Sequence, residues 1–174
     1  MLEKYSRYRI LQEFFNSPTK NFQMRELSRL TKIAQQSVIN HLNALLKEGL
    51  IKKEKNGIYP SFKANRDNEL FRLYKKNDLI LKLQQNSIIS YIYDSCMPDA
   101  IILFGSASKG EDIEGSDIDL FLQAKEKKLN FDKYEKILNR KISLFFEEDF
   151  SKLSKELKNN ILNGIVLKGY MKVF

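Results

Sequence analysis

The sequence predicts an α+β protein of two small domains, a mainly helical one followed by a small mixed β-sheet flanked by helices. Three observations support this fold class. The excess positive charge is confined to the first part of the chain, helical periodicity dominates that same part, and an apolar strand followed by an Asp-x-Asp strand lies in the second part. A length of 174 residues suits one ordinary domain or two small ones.

The composition indicates a globular chain, with 43% hydrophobic and 30% charged residues. No apolar run approaches the roughly 18 residues that cross a bilayer, so we expect no membrane association. The single Cys96 excludes an intramolecular disulfide, and with the single His41 it leaves no Cys/His zinc cluster. A reducing cytoplasm is the expected location. His41 is interpreted as a packing or surface residue.

The charge of the chain is unevenly distributed. Residues 1–64 carry 12 Lys+Arg against 5 Asp+Glu, whereas residues 98–174 carry 13 of each. A polyanion such as double-stranded DNA is therefore the expected partner of the first part. The alternative is that the lysines only keep the surface solvated.

Helical spacing of apolar residues predicts three helices in the first part, over 3–16, 23–31 and 35–48. The last two are joined by the short turn Lys32-Ile33-Ala34, which makes a helix-turn-helix. Gly49 is the expected C-cap of the third helix. Two short β-like runs, 50–54 and 58–62, then flank Lys55-Asn56-Gly57, and Asn-Gly between such runs predicts a hairpin.

Three helices followed by a basic hairpin over residues 1–64 resemble a winged helix-turn-helix domain of bacterial and archaeal transcription regulators. The resemblance implies that the third helix enters the major groove and that the hairpin lies along the DNA backbone. Winged helices also serve as protein docking modules, which is the alternative. The residues expected to contact DNA are Gln35, Gln36, Ser37 and Asn40 on the helix and Lys52, Lys53 and Lys55 on the hairpin.

Residues 65–84 are interpreted as a connector, with an amphipathic helix predicted over 68–83 and another apolar helix starting over 87–93. These helices either support the second domain or form a homodimer seam, and the pattern does not choose between the two. The second domain is placed at residues 85–174.

A continuous apolar run, Ala100–Phe104, predicts a buried strand that leads directly into Gly105 and Ser106. A second strand follows over 117–122. Its Asp117 and Asp119 are two residues apart, so their carboxylates project from one face. Converging carboxylates in an apolar strand favour a bound divalent cation, and a glycine lets a phosphate approach the backbone. The pattern suits metal-assisted attack on a nucleotide α-phosphate.

The stretch from Phe104 to Leu120 resembles the signature of the DNA polymerase beta-like nucleotidyltransferase superfamily, and in particular its minimal members from archaea and bacteria. The resemblance implies a cofactor of Mg²⁺, or Mn²⁺, with a nucleoside triphosphate. It also implies that Asp117 and Asp119 hold the metal ions. The residues expected to bind the triphosphate are Gly105, Ser106, Lys109 and Ser116.

The family's third carboxylate is expected in the segment 140–146, where Ser143 occupies the matching position. Serine supplies no charge for a general base or a second metal ion. Glu147 or Glu148 would substitute only if the strand register differed. A nucleotide-binding domain with weak catalysis is therefore a serious interpretation.

The remaining sequence predicts a helix over 149–162 and a last strand over 165–167. Three functions stay open. The first is a Mg-NTP-dependent nucleotidyltransferase that acts on an unidentified hydroxyl. The second is a non-catalytic transcription regulator that senses a nucleotide or a partner protein. The third is an antitoxin-like component, because minimal members of the family pair with small helical toxin proteins.

Overall fold

A computed structural model of the chain describes residues 5–55 and 59–173, and these fall into two units, Met1–Lys75 and Lys76–Phe174. The division lies inside the helix that the sequence assigns to the connector. The Asn56-Gly57 turn and Ile58, at the start of the second predicted hairpin strand, lie outside the described residues. No helix of the described ranges is both long enough and apolar enough to cross a membrane.

The first unit has three helices and a three-stranded antiparallel sheet. The helices pack around a core that includes Phe14, Leu27 and Leu42, whose side chains are at most 1% exposed. The strand order is β1-β3-β2, and Ile51 pairs with Ala64 across the hairpin. The elements are α1 (Ser6–Asn16), β1 (Phe22–Gln23), α2 (Met24–Thr31), α3 (Gln35–Lys47), β2 (Ile51–Glu54) and β3 (Ser61–Ala64).

The turn between α2 and α3 is tight because Lys32 adopts a left-handed conformation with φ of 52°. The Ser28 hydroxyl donates a hydrogen bond of 2.6 Å to the carbonyl of Ile33 across this turn. Helix α3 then runs with Val38, Leu42 and Leu45 buried at a spacing of four and three residues. The helix-turn-helix prediction is confirmed, and the opposite face of α3 is left in water.

Helix α4 (Glu69–Gln85) contributes Phe71 to the core of the first unit, and its Leu79 and Leu83 are buried in the second unit. Helix α5 (Ile88–Cys96) follows, and it buries Ile88, Ile89 and Ile92.

The second unit is built on a four-stranded mixed sheet with the order β6-β5-β4-β7. Strands β5 and β6 are parallel, whereas β4 is antiparallel to both of its neighbours. The predicted mixed sheet with flanking helices is confirmed. The elements are β4 (Ala100–Phe104), α6 (Gly105–Lys109), β5 (Ile118–Leu122), α7 (Asp132–Leu138), β6 (Ile142–Phe146), α8 (Lys155–Leu162) and β7 (Ile165–Gly169).

The prediction of one helix over 149–162 is wrong. A short 3₁₀ helix, Phe150–Lys152, is followed by extended backbone, and α8 begins only at Lys155. The reason is local, because the Ser154 side chain accepts a hydrogen bond from the backbone N–H of Leu157 and so caps a new helix. The two-residue strand β1 was not predicted, and β5 begins at Ile118, one residue later than expected.

Candidate functional site

Strand β5 presents alternating faces, and this alternation positions the candidate site. Ile118 and Leu120 are fully buried on one face of the sheet. Asp119 lies on the other face and is half-buried, and Asp117 lies exposed just before the strand. The sequence therefore placed Asp119 on the correct face, because the period of a strand is two residues.

The strand register brings Asp119 next to both Phe104 and Ser143. Phe104 is its partner on β4, and Ser143 is its partner on the parallel strand β6. The chain turns at Gly105, where φ is +71°. A Cβ atom at Gly105 would lie 2.6 Å from Oδ2 of Asp119. The glycine is required for its backbone conformation and for this close approach, so the Gly-Ser turn lies directly against the carboxylate.

The two carboxylates influence each other. Burial raises the pKa of Asp119 above its ordinary value, the nearby Asp117 carboxylate raises it further, and Arg140 opposes both effects. Crowded carboxylate oxygens of this kind are the donor set that Mg²⁺ or Mn²⁺ prefers. Asp117 and Asp119 therefore fit one divalent cation. Across the described ranges, no three His, Cys, Asp or Glu residues are grouped so that they could share a metal ion.

The strand register shows which residue lies beside Asp119 at the position expected for a third carboxylate. Ser143 is the direct register partner of Asp119. Glu147 lies four residues after Ser143, just past the end of β6, or roughly 13 Å away at the rise of a strand. Its backbone N–H donates to Leu122 at the far end of β5, and its Oε1 accepts from the N–H of Asp149. The register therefore leaves neither Glu147 nor Glu148 beside Asp119.

The predicted triphosphate residues differ in their surroundings. Ser106 and Lys109 are exposed on α6, at the end of the sheet where Gly105 meets Asp119. Ser116 instead stabilises the turn before β5, because its hydroxyl accepts a 3.1 Å hydrogen bond from the N–H of Ile113. The sequence missed the buried Ser108, whose hydroxyl donates a 2.8 Å hydrogen bond to the carbonyl of Gly105.

Arg140 is a further residue that sequence reasoning missed as part of the site. Its Nη1 donates to Oδ2 of the buried Asp112 at 2.7 Å, forming a salt bridge whose side chains are 17% and 6% exposed. Its Nε and Nη2 donate to the backbone carbonyls of Ser116 and Asp117, at 2.8 Å and 3.0 Å. One guanidinium therefore fixes both ends of the 112–117 loop and positions Asp117.

An open cavity of about 630 Å³ adjoins Asp117 on the side of β6. Its wall is formed by the loop before β5, by α7 and by the segment leading into β6. The cavity is lined by Gly115, Asp117, Asp132, Glu135, Lys136, Asn139, Arg140 and Lys141. Of the two candidate metal-binding carboxylates, Asp117 lines this cavity and Asp119 does not.

In the first unit, the predicted contacts on the helix share one exposed region. Gln35, Gln36 and Asn40 are exposed near the start of α3, and Ser37 is partly exposed. Helical spacing extends the same face to Asn43 and Lys47, which the sequence analysis did not single out. This face is rich in groups that donate and accept hydrogen bonds, as base-edge contacts require.

The predicted lysines of the hairpin are all exposed, but they are not equivalent. Lys52 and Lys53 are neighbours on β2, so they project from opposite faces of the sheet. Lys52 is already paired with Asp67, at 2.8 Å between Nζ and Oδ2. Arg25 and Arg29, exposed on α2, add positive charge that sequence reasoning did not assign to a contact.

His41 is only partly exposed, on α3. Burial lowers its pKa below the ordinary value, and the charge of Arg7 lowers it further.

Comparisons with known protein families agree with this division of the chain. Residues 86–171 match the family model described as "Polymerase beta, Nucleotidyltransferase". Residues 6–53 match the model described as "Bacterial regulatory protein, arsR family". No curated protein and no solved structure matched the chain. The predicted order, a helix-turn-helix region followed by a nucleotidyltransferase domain, is confirmed.

Proposed function

From a chain that joins a helix-turn-helix region of the arsR family to a domain of the polymerase beta nucleotidyltransferase family, we propose a DNA-binding protein whose second unit binds a metal–nucleoside triphosphate. The proposed protein is a regulator that responds to nucleotide. It transfers the nucleotidyl group slowly or not at all.

The observation that carries nucleotide binding is the contact between Gly105 and the carboxylate of Asp119. A phosphate chain that follows the exposed backbone at Gly105 and Ser106 passes directly beside the carboxylates. Asp117 and Asp119 would hold the cation, and Arg140 keeps Asp117 in place through the 112–117 loop. A bound Mg²⁺ or Mn²⁺ supplies charge neutralisation and polarises the phosphoryl oxygens.

Ser143 supports weak transfer. Attack by a hydroxyl requires a group that accepts its proton, and a serine beside Asp119 is neutral at physiological pH. The serine at position 143 therefore favours the regulator over the enzyme. The site lacks a general base at this position, whereas the groups proposed to bind the cation and the phosphates are still there.

DNA binding is supported by the exposed polar face of α3 and by the basic residues of α2 and β2. The face that carries Gln36 and Asn40 is opposite the buried Val38 and Leu42, so it is available to a groove. The surrounding positive charge supplies sequence-independent attraction to phosphates.

The experiment that tests nucleotide binding is thermal unfolding of the full chain with ATP, in the presence of Mg²⁺ or of EDTA. Mg-ATP should raise the melting temperature, since a ligand at 100 times its Kd stabilises by about 2.7 kcal/mol. ATP with EDTA should give a much smaller rise. The double variant Asp117→Asn, Asp119→Asn should lose the Mg-ATP increment.

A matched control neutralises Asp94 and Glu126, two exposed carboxylates of the same unit. The double variant Asp94→Asn, Glu126→Gln should respond to Mg-ATP as the wild type does. An unchanged increment in the Asp117/Asp119 variant would place the nucleotide elsewhere, and the proposal would be wrong.

A further inference from the structure

Phe145 is an exposed aromatic residue on the same face of the sheet as the carboxylates. It lies on β6, two residues after Ser143, and its register partner on β5 is Phe121. The strand period places Phe145, Ser143 and Asp119 on one face, whereas Leu144 and Phe146 face the other core. Strand β6 is at the edge of the sheet.

Three phenylalanines share this face, and they differ in burial. Phe104 and Phe121 are 6% and 0% exposed, and both belong to the cluster formed with Phe150 and Ile161. Phe145 is 42% exposed. Its ring meets that of Phe104 edge to face, with 5.5 Å between centroids and 73° between planes. The contact with Phe104 holds the Phe145 ring in place, and 42% of the Phe145 side chain is left exposed.

The spacing of the strands suits a nucleotide. Neighbouring strands are about 4.8 Å apart and two residues of a strand cover roughly 6.6 Å, so the Cα atoms of Asp119 and Phe145 are about 8 Å apart diagonally. A ribose spans such a gap between an α-phosphate and a base. Ser143 is the neighbour of Asp119 on β6 and precedes Phe145 by two residues, and its side chain is short.

We propose that Phe145 stacks on the base of the nucleotide whose phosphates lie at Gly105, Ser106, Asp117 and Asp119. This inference rests on the proposed function and adds the base-binding group to it. An aromatic ring exposed on an edge strand is normally a liability for aggregation. A base that covers the ring would bury it, and stacking of this kind is largely independent of base identity.

The test is calorimetric titration of the full chain with Mg-ATP and with Mg-tripolyphosphate, which lacks the base and the ribose. The variants are Phe145→Leu, which keeps apolar volume against Phe104 but has no aromatic face, and Phe145→Trp, which keeps one. Phe145→Leu should weaken Mg-ATP binding by fivefold or more, at about 1–3 kcal/mol per stacked base. Phe145→Trp should bind Mg-ATP as the wild type does or more tightly.

Two controls separate stacking from general damage. Tyr170→Ala removes another exposed aromatic of the second unit, 68% exposed after β7, and should leave Mg-ATP binding unchanged. Melting temperatures without ligand should show that the leucine variant is folded. Binding of Mg-tripolyphosphate, where it is measurable, should not differ between the wild type and Phe145→Leu.

The outcomes distinguish this inference from the function on which it rests. If the wild type binds neither Mg-ATP nor Mg-tripolyphosphate, the proposed function fails and the inference fails with it. If Mg-ATP binds and Phe145→Leu binds it equally well, nucleotide binding stands and the stacking role is overturned. An equal loss for both ligands, or a loss that tryptophan does not rescue, also overturns it.

Discussion

The exposed face of α3 and the carboxylate site on β5 present polar side chains to a ligand in opposite ways. On α3, Gln36 and Asn40 project into water from a helix that is held by residues on its other side. On β5, Asp119 is half-buried and touches the backbone position of Gly105 on the neighbouring segment. Side chains on the exposed face of α3 can be replaced without any rearrangement of the core. Asp119 is packed against a neighbouring segment, so its replacement affects that packing.

This difference separates two kinds of evidence about function. A substitution on α3 should change binding and leave the unfolding free energy almost unaffected. A substitution at the carboxylate site alters charge in a partly desolvated place, so binding and stability change together. The predictions that follow exploit this contrast, from the largest expected effect to the smallest.

The largest effect is expected from Ser143→Asp, which returns a carboxylate to the position beside Asp119. Nucleotidyl transfer from radiolabelled ATP, CTP, GTP and UTP, with a cell extract as the acceptor pool, should be weak or undetectable in the wild type. The variant should raise the rate, since general-base catalysis contributes on the order of 10² to 10⁴. Ser143→Asn, of similar size but neutral, is the matched control and should give no gain.

The Ser143→Asp variant should be less stable than the wild type without metal. Burial and the Asp117 carboxylate already raise the pKa of Asp119, and a third carboxylate would add repulsion at the same place. Mg²⁺ should recover part of that loss. Robust transfer by the wild type that Ser143→Asp does not improve would contradict the role given to this position.

The second prediction compares two arginine–carboxylate pairs. Arg140 and Asp112 are mostly buried, whereas Arg7 and Glu48 in the first unit are 49% and 42% exposed, at a similar 2.9 Å. Arg140→Met removes a charged donor from the buried Asp112 and from two backbone carbonyls, so it should cost about 3–5 kcal/mol. Arg7→Met should cost less than about 1 kcal/mol.

Amide hydrogen exchange on the full chain measures both effects, because it reports protection separately for each unit. Arg140→Met should also weaken Mg-ATP binding, since Asp117 loses the contact that fixes its loop. If Arg140→Met and Arg7→Met both cause small and similar losses of protection, the buried Arg140–Asp112 pair contributes little to the free energy of unfolding.

The sequence predicted the strands that carry Asp119 and Ser143, because these strands follow from local rules. A continuous apolar run marks β4, and alternation within β5 fixes the face of Asp119. Ser143, which the sequence analysis expected at the third-carboxylate position, is the register partner of Asp119 on β6. Each of these depends on strand period or on spacing within a short segment.

What the sequence did not predict depends on contacts between distant segments. The Arg140–Asp112 pair joins residues 28 positions apart, and no local pattern indicates it. Strand β1 is two residues long and exists only through its pairing with β3. The exposure of Phe145 was equally hidden, because an edge strand and a central strand have similar apolar sequences. The boundary between the two units, inside α4, was not predicted for the same reason. It depends on Phe71 joining the core of the first unit and on Leu79 and Leu83 joining that of the second.

The smallest effects are expected on the hairpin, where structure distinguishes lysines that the sequence treats alike. For the full chain and one fixed DNA duplex, the logarithm of the association constant should fall linearly with the logarithm of salt concentration. Replacing Lys52, Lys53 and Lys55 with Ala should reduce that slope by about 0.9 for each lysine that meets a phosphate. Double replacement of Gln36 and Asn40 with Ala should leave the slope unchanged.

Single variants sharpen this last comparison. Lys53→Ala should reduce the slope more than Lys52→Ala, because the Lys52 ammonium is already paired with Asp67. Asp67→Asn should therefore strengthen binding slightly, by releasing Lys52 to a phosphate. Exposed pairs contribute at most about 1 kcal/mol, so the gain should be small and should vanish in high salt. If all lysine variants keep the wild-type slope, the hairpin does not contact DNA, and the positive charge of α2 becomes the place to test.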